Sequence, residues 1–322
     1  MSESNDSVPE IRINPIVPTE SVLVATARGM RPKTAEKPAE RDTRKVVERC
    51  PFCRGNEDRT PPEIKRYPDD GDWQIRIVPN LYPVLGDDRS NANIAFGLQQ
   101  VIDNQDHGIA LHEMSRAHLA KLFSVYQQRM AEPYSSGSRL KCLLVFRNFG
   151  AAAGASIAHT HSQIIATPVV PEIVQNEVHH SREYQRRYSH CVHCSLIDEA
   201  LTYEATICDR HSGQRRRKIN VGRYVIERGQ RFVAIEPLAS RFEWEIHMLP
   251  LHHEADFLAA TPEDMTDFAR VLRRTMARLE KVVGGVQYNF FLHSAPHGAE
   301  FKGCRDRPRQ GANAAVHSHA ST

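Results

Sequence analysis

The sequence predicts an α+β fold, built from two related units with antiparallel sheets and packed helices. Two observations predict it. Short strands, then a helix, then a strand ending near a histidine occur in that order in each half, and each half has one long stretch of helical apolar period. In the first half, Trp73 to Val78 alternates and predicts a strand ending at Pro79. Ser115 is placed to cap a helix running to about Met130, with Leu119, Leu122, Phe123, Tyr126 and Met130 on one face. Cys142 to Phe146 is a short apolar strand. In the second half, Phe232 to Ile235 and Ile246 to Leu249 are strands. Thr261-Pro262-Glu263-Asp264 sets a capping residue before a proline in the first turn. Met265, Phe268, Leu272, Met276 and Leu279 then keep a helical period to about Val283, where Gly284-Gly285 stops it. Tyr288 to Leu292 is the last strand of clear pattern. Residues 1–10 are expected to be a disordered tail and 32–48 a mobile loop. Residues 170–230 are expected to connect the units, with Arg215-Arg216-Arg217-Lys218 as a solvated loop.

The chain has 322 residues, 40% apolar and 25% charged, which is ordinary for a soluble globular protein. A net charge of +3 is too mild to argue for a nucleic-acid or membrane partner. No apolar run approaches the roughly 18 residues a membrane-spanning helix needs. The polar N-terminus does not resemble a signal peptide. Of seven cysteines, four form two C-x-x-C pairs. That favours metal binding in a reducing cytoplasm over a disulfide framework.

The most informative segment is His159-Thr160-His161-Ser162-Gln163, behind the small residues of Asn148 to Ser156. If it is extended, His159, His161 and Gln163 share one face. Small residues let backbone N–H groups approach a phosphate, and an imidazole beside such a cradle is placed to attack phosphorus. A Gln amide can donate to an oxygen that gains charge in the transition state. A backbone carbonyl bonded to one ring nitrogen of His161 would set the tautomer that frees the other. Cys50-Pro51-Phe52-Cys53 has the spacing of half a tetrahedral zinc site. His159 is an attractive third ligand; spacing alone leaves His107, His112 and His118 competing for the fourth place.

At these residues the chain resembles the galactose-1-phosphate uridylyltransferase family of the histidine-triad superfamily. The stretches that carry the resemblance are Ala27 to Pro32, Cys50 to Glu63, Val78 to Pro83 and Phe146 to Gln163. The resemblance implies two histidine-triad-like units: residues 11–170 with the zinc knuckle and nucleophile, and residues 171–322. It implies zinc on Cys50, Cys53, His107 and His159, since His107 falls on the family's zinc histidine and His112 does not. It implies His161 as nucleophile and Gln163 as transition-state donor. Asn80, Asn148 and Ser156 fall on nucleotide and phosphate contacts, and Arg28 and Arg31 on phosphate contacts supplied across a homodimer interface. The implied reaction is ping-pong transfer of UMP from UDP-glucose to galactose 1-phosphate through a nucleotidyl-histidine. The alternatives are an ADP-sugar or dinucleoside-polyphosphate phosphorylase or adenylyltransferase, or a nucleotide-binding homologue without turnover.

Three segments depart from the family pattern. Cys191-Val192-His193-Cys194 resembles a second zinc site of a branch that includes ADP-sugar phosphorylases. There His293 matches one completing histidine, Arg231 stands at the other position, and His190 or His193 is left to substitute. Glu177 falls on an iron-ligand position of another branch and is expected to be a surface glutamate. After Pro296 the family continues into a strand bearing a second H-x-H. Here that strand is expected to be altered or missing, because His317-Ser318-His319 lies in a tail without an apolar strand pattern.

Overall fold

The computed structural model of the chain describes residues 10–24, 41–81, 96–135, 140–202, 204–207, 217–220, 222, 224–297 and 316–321. Its first half contains β1 (Glu10–Ile13), β2 (Ser21–Val24), β3 (Lys65–Tyr67), β4 (Ile75–Pro79), β5 (Phe96–Ile102), α1 (Arg116–Ser135), β6 (Cys142–Phe149) and β7 (His161–Thr167). There follow α2 (Glu172–Tyr188), α3 (Val192–Thr202), β8 (Glu204–Ile207) and β9 (Arg217–Asn220). The second half contains β10 (Val225–Arg228), β11 (Phe232–Ile235), β12 (Ile246–Pro250), α4 (Pro262–Val283), β13 (Gln287–Leu292) and β14 (Val316–Ser321).

Ten strands form one antiparallel sheet in the order β10-β11-β12-β14-β13-β6-β7-β5-β4-β3. The order divides into two five-stranded halves that meet where β6 pairs with β13. Each half runs three strands, one helix and two strands, so the duplication expected from the sequence is an internal repeat within a single sheet. Both long helices pack on one face of that sheet over a shared core. Leu119, Leu122, Phe123 and Tyr126 of α1 join Phe268, Val271 and Leu272 of α4, and all are buried. The rings of Phe123 and Phe268 meet edge to face at 4.6 Å between centroids. On the opposite face Ile197 and Ala200 of α3 pack with Val233, Ile235 and Leu249, and Phe52 and Trp73 form a further small core with Val78 and Ile102.

Local signals set the helix ends. The Ser115 hydroxyl oxygen accepts from the His118 N–H at 3.1 Å. The α4 start is a capping box: the Thr261 hydroxyl accepts from Asp264 N–H at 3.2 Å, and the Asp264 carboxylate accepts from Thr261 N–H at 2.9 Å. Thr261→Ala is expected to cost about 1 kcal/mol of stability. Urea titration checks this; an unchanged midpoint would show that the box contributes nothing.

The structure differs from the sequence expectations in several elements. Glu10, expected in the disordered tail, opens β1. Residues 170–230 are no bare connection, since 172–188 and 192–202 form α2 and α3, and Arg217 and Lys218 of the expected loop open β9. The first strand of clear pattern begins at Ile75 rather than Trp73. The tail does supply a strand. β14 lies between β12 and β13, with His317 in register with both His247 and Phe291. Its small polar sequence hides this, because a strand paired along both edges is held by its backbone and needs no apolar alternation to form. No helix among the described residues is long and apolar enough to cross a membrane.

Candidate active site and metal centre

The C-x-x-C turn brings Cys50 and Cys53 together ahead of β3. The backbone that follows β5 brings His107, and the turn entering β7 brings His159. Their four donor atoms lie within 4.8 Å of one another, and all four residues are buried. Cys53 Sγ lies 3.3 Å from His107 Nδ1 and 3.4 Å from His159 Nδ1, and Cys50 Sγ lies 3.8 Å from His159 Nδ1. Zinc–sulfur and zinc–nitrogen bonds of ordinary length give a tetrahedron with edges of about 3.3–3.8 Å. The donor set therefore fits a tetrahedral ion such as zinc. Each imidazole turns Nδ1 to the cluster and anchors its other nitrogen. His159 Nε2 donates to the Asn104 carbonyl at 2.8 Å, and His107 Nε2 lies 3.4 Å from the Asp42 carboxylate. Burial pushes the Cys53 thiol up and the His159 imidazole down to about 4. Both groups are thus uncharged without a metal, and metal uptake is linked to loss of thiol protons.

His161 opens β7 two residues later, and His159 sits in the turn before it rather than in the strand. The segment is therefore extended from His161 onward only. His161 Nδ1–H donates to the His159 carbonyl at 2.8 Å, which leaves Nε2 as the nitrogen with a free lone pair. Burial pushes this imidazole below its ordinary value and so favours the neutral ring. Phe52, from the cysteine turn, packs edge-on against His161 at 5.3 Å and His159 at 6.1 Å between ring centroids. The metal cluster and the nucleophile candidate thus share one packed wall.

Gln163 follows on the same strand face, away from the helices, and is half-buried. Asn148, near the end of β6, shares that face. Gly150 and Gly154, with φ of +91° and +81°, turn the chain from β6 into the loop that returns to β7. The sequence reasoning missed what holds this loop. Gln287 and Asn289 of β13, from the other half, reach across the seam. Ala152 N–H donates to Gln287 Oε1 at 2.7 Å. Asn289 Nδ2 donates to Asn148 Oδ1 at 2.9 Å and to the Ala153 carbonyl at 2.8 Å. Only the pairing of β6 with β13 reveals these two amides. Ser156 is exposed on the loop, and Asn80 is half-buried just beyond β4. Arg28 and Arg31 lie outside the described residues.

The second cysteine pair gathers a histidine that the sequence reading did not name. Cys191, Cys194 and His253 bring their donor atoms within 4.8 Å, with Cys194 Sγ 3.5 Å from His253 Nδ1. His293, the expected ligand, is not in that set of three; its Nδ1 lies 3.4 Å from the Glu177 carboxylate. Glu177 is accordingly half-buried rather than a surface residue. The physical reason lies in the helices: the chain leaving β12 passes the start of α3, whereas the end of β13 faces α2. His190 is exposed, and His193 faces a cavity of about 160 Å³ that also borders Cys191, His252, His253 and His293. A hydrogen bond from Cys194 pulls the Cys191 thiol down, toward the thiolate a metal requires. The adjacent histidines at 252 and 253, just past a strand end, were the available sequence signal.

Residues 1–171 match the family described as galactose-1-phosphate uridyl transferase, N-terminal domain. The chain is 26% identical over 301 residues to ADP-glucose phosphorylase of Arabidopsis thaliana, covering 89% of this chain and 79% of that protein. It is 24% identical over 303 residues to galactose-1-phosphate uridylyltransferase of Thermotoga maritima, covering 90% and 82%. The crystal structure of an ADP-glucose phosphorylase from Arabidopsis thaliana with bound ADP-glucose matches with a TM-score of 0.79 at 24% identity, over 98% of this chain and 90% of that one. The fold is therefore shared with that structure.

Proposed function

Because the chain belongs to the galactose-1-phosphate uridyl transferase family, we propose that it moves a nucleotidyl group from a nucleotide sugar to the phosphate oxygen of an acceptor by way of His161. One observation carries the reading: the Nδ1–H bond from His161 to the His159 carbonyl, which leaves Nε2 free beside Gln163 and the glycine-turned loop. In the first step Nε2 bonds to the α-phosphorus while the bond to the bridging oxygen breaks, and hexose 1-phosphate leaves with both electrons. Gln163 donates to the phosphoryl oxygen that gains charge. In the second step an acceptor phosphate oxygen attacks the same phosphorus and the imidazole departs. A zinc ion on Cys50, Cys53, His107 and His159 would have four protein ligands and no open position, so its contribution is to hold the loop and wall around His161.

The acceptor separates two forms of the reading. UMP transfer from UDP-glucose to galactose 1-phosphate is supported by the family match and by the likeness to galactose-1-phosphate uridylyltransferase. Phosphorolysis of ADP-glucose, in which inorganic phosphate takes AMP to give ADP, is favoured by the Cys191–Cys194–His253 cluster and by the likeness to ADP-glucose phosphorylase. Release of glucose 1-phosphate is measured from ADP-glucose with phosphate and from UDP-glucose with galactose 1-phosphate. The phosphorolytic reaction is expected to be the faster. A faster second reaction would assign uridylyl transfer, and release from neither would sink the reading.

A further inference from the structure

The strand that carries His161 is gripped from its opposite face. Thr160 and Ser162 flank the histidine; alternation turns Ser162 toward the helices, and Thr160, the last residue before β7, turns its hydroxyl to the same side. Beneath them lies an ion pair, Asp103 with Arg147, 0% and 1% exposed. Asp103 follows β5 and Arg147 belongs to β6, the two strands on either side of β7, so the pair passes under β7 from one neighbour to the other. It takes hold of the strand at two points. Arg147 Nη2 donates to the Thr160 hydroxyl. The Ser162 hydroxyl donates to Asp103 Oδ2 at 2.9 Å. Tyr126 of α1 closes the network, 3.1 Å from Asp103 Oδ1 and 2.6 Å from the Ser162 hydroxyl. The Asp103 N–H also donates to the Thr160 carbonyl at 3.1 Å, and Thr160 N–H to the carbonyl of His107 at 2.9 Å.

We infer that the buried Asp103–Arg147 pair is a positioning device for His161, acting through the hydroxyls of Thr160 and Ser162. The inference rests on the reading of His161 as nucleophile. Stability alone does not account for the pair, because a buried ion pair is often no more stabilising than apolar residues of the same volume. What charged hydrogen bonds add is direction. A tether on each side of the histidine restrains both the sliding of β7 and its rotation. Those two movements would carry Nε2 off the line of attack on phosphorus.

The test leaves the ion pair in place and removes only the tethers. Wild type, Thr160→Val/Ser162→Ala and Thr160→Ser are compared in single turnovers with ADP-glucose and UDP-glucose labelled at the α-phosphorus. The readouts are nucleotidyl-histidine formation, nucleotide-sugar affinity and bound metal. The double variant is expected to form the phosphorus–nitrogen bond about 100-fold more slowly, at unchanged affinity and metal content. Thr160→Ser, which keeps the hydroxyl, is expected to react at the wild-type rate. A double variant that reacts as fast as wild type, or loses rate only together with affinity or metal, would overturn the inference. Wild type that never acquires label would overturn the nucleophile reading first, and this inference with it.

Discussion

His161→Ala is expected to acquire no nucleotidyl label and to lose at least about 10⁴-fold in turnover, because removal of a covalent nucleophile leaves only binding and transition-state contacts behind. The measurement is incubation with nucleotide sugar labelled at the α-phosphorus, followed by an alkaline quench, since a phosphorus–nitrogen bond to histidine is labile in acid. Gln163→Ala provides the graded comparison. It retains the nucleophile and is expected to label slowly, down about 10²–10³-fold, as for loss of one transition-state donor. His179→Ala serves as a control for histidine loss in general, since that side chain is exposed on α2 and outside both cysteine clusters. Label retained at wild-type level in His161→Ala would assign the chemistry elsewhere.

Loss of the first metal cluster is the other large effect expected. Cys53 is fully buried and its Sγ approaches both imidazoles. Cys53→Ala is expected to release one equivalent of zinc and to cost more than about 4 kcal/mol, the scale associated with loss of a structural metal. Activity is expected to fall as well, because Phe52 of the same turn packs on His161. Cys142→Ala is the matched control: Cys142 is also buried but lies on β6 outside both clusters, and about 1 kcal/mol is expected there. Metal analysis and thermal melts decide. A Cys53→Ala protein with full zinc and the wild-type melting temperature would remove the cluster from the account.

Much of the fold is legible in the chain, and the reasons are local. The α1 and α4 stripes repeat every three or four residues because one face meets the sheet. The Thr261–Asp264 box and the glycine pair at 284–285 mark the ends of α4 through short-range hydrogen bonding and backbone freedom. The C-x-x-C turn and the His159 to Gln163 segment are legible for the same reason: their chemistry depends on spacing over a few residues. Where expectation and structure part, the deciding partners are far apart in sequence. β14 has no apolar alternation to mark it, and both its neighbours are strands more than twenty positions earlier. The resemblance points to His293 beside the second cysteine pair, whereas tertiary packing brings His253 within reach of both thiols and sets His293 against Glu177.

The sequence by itself determined the chemistry on offer: a thiol pair with histidines in reach, an imidazole beside small residues, and two amphipathic helices to back a sheet. Periodicity, capping and motif spacing act over a few residues, so one chain suffices to read them. The tertiary structure alone decided how those parts are held. It set Gln287 and Asn289 of one half on the loop of the other, slid Asp103 and Arg147 beneath β7, and closed the sheet with a polar tail. Each of these depends on backbone pairing between distant strands, which no local pattern of side chains records.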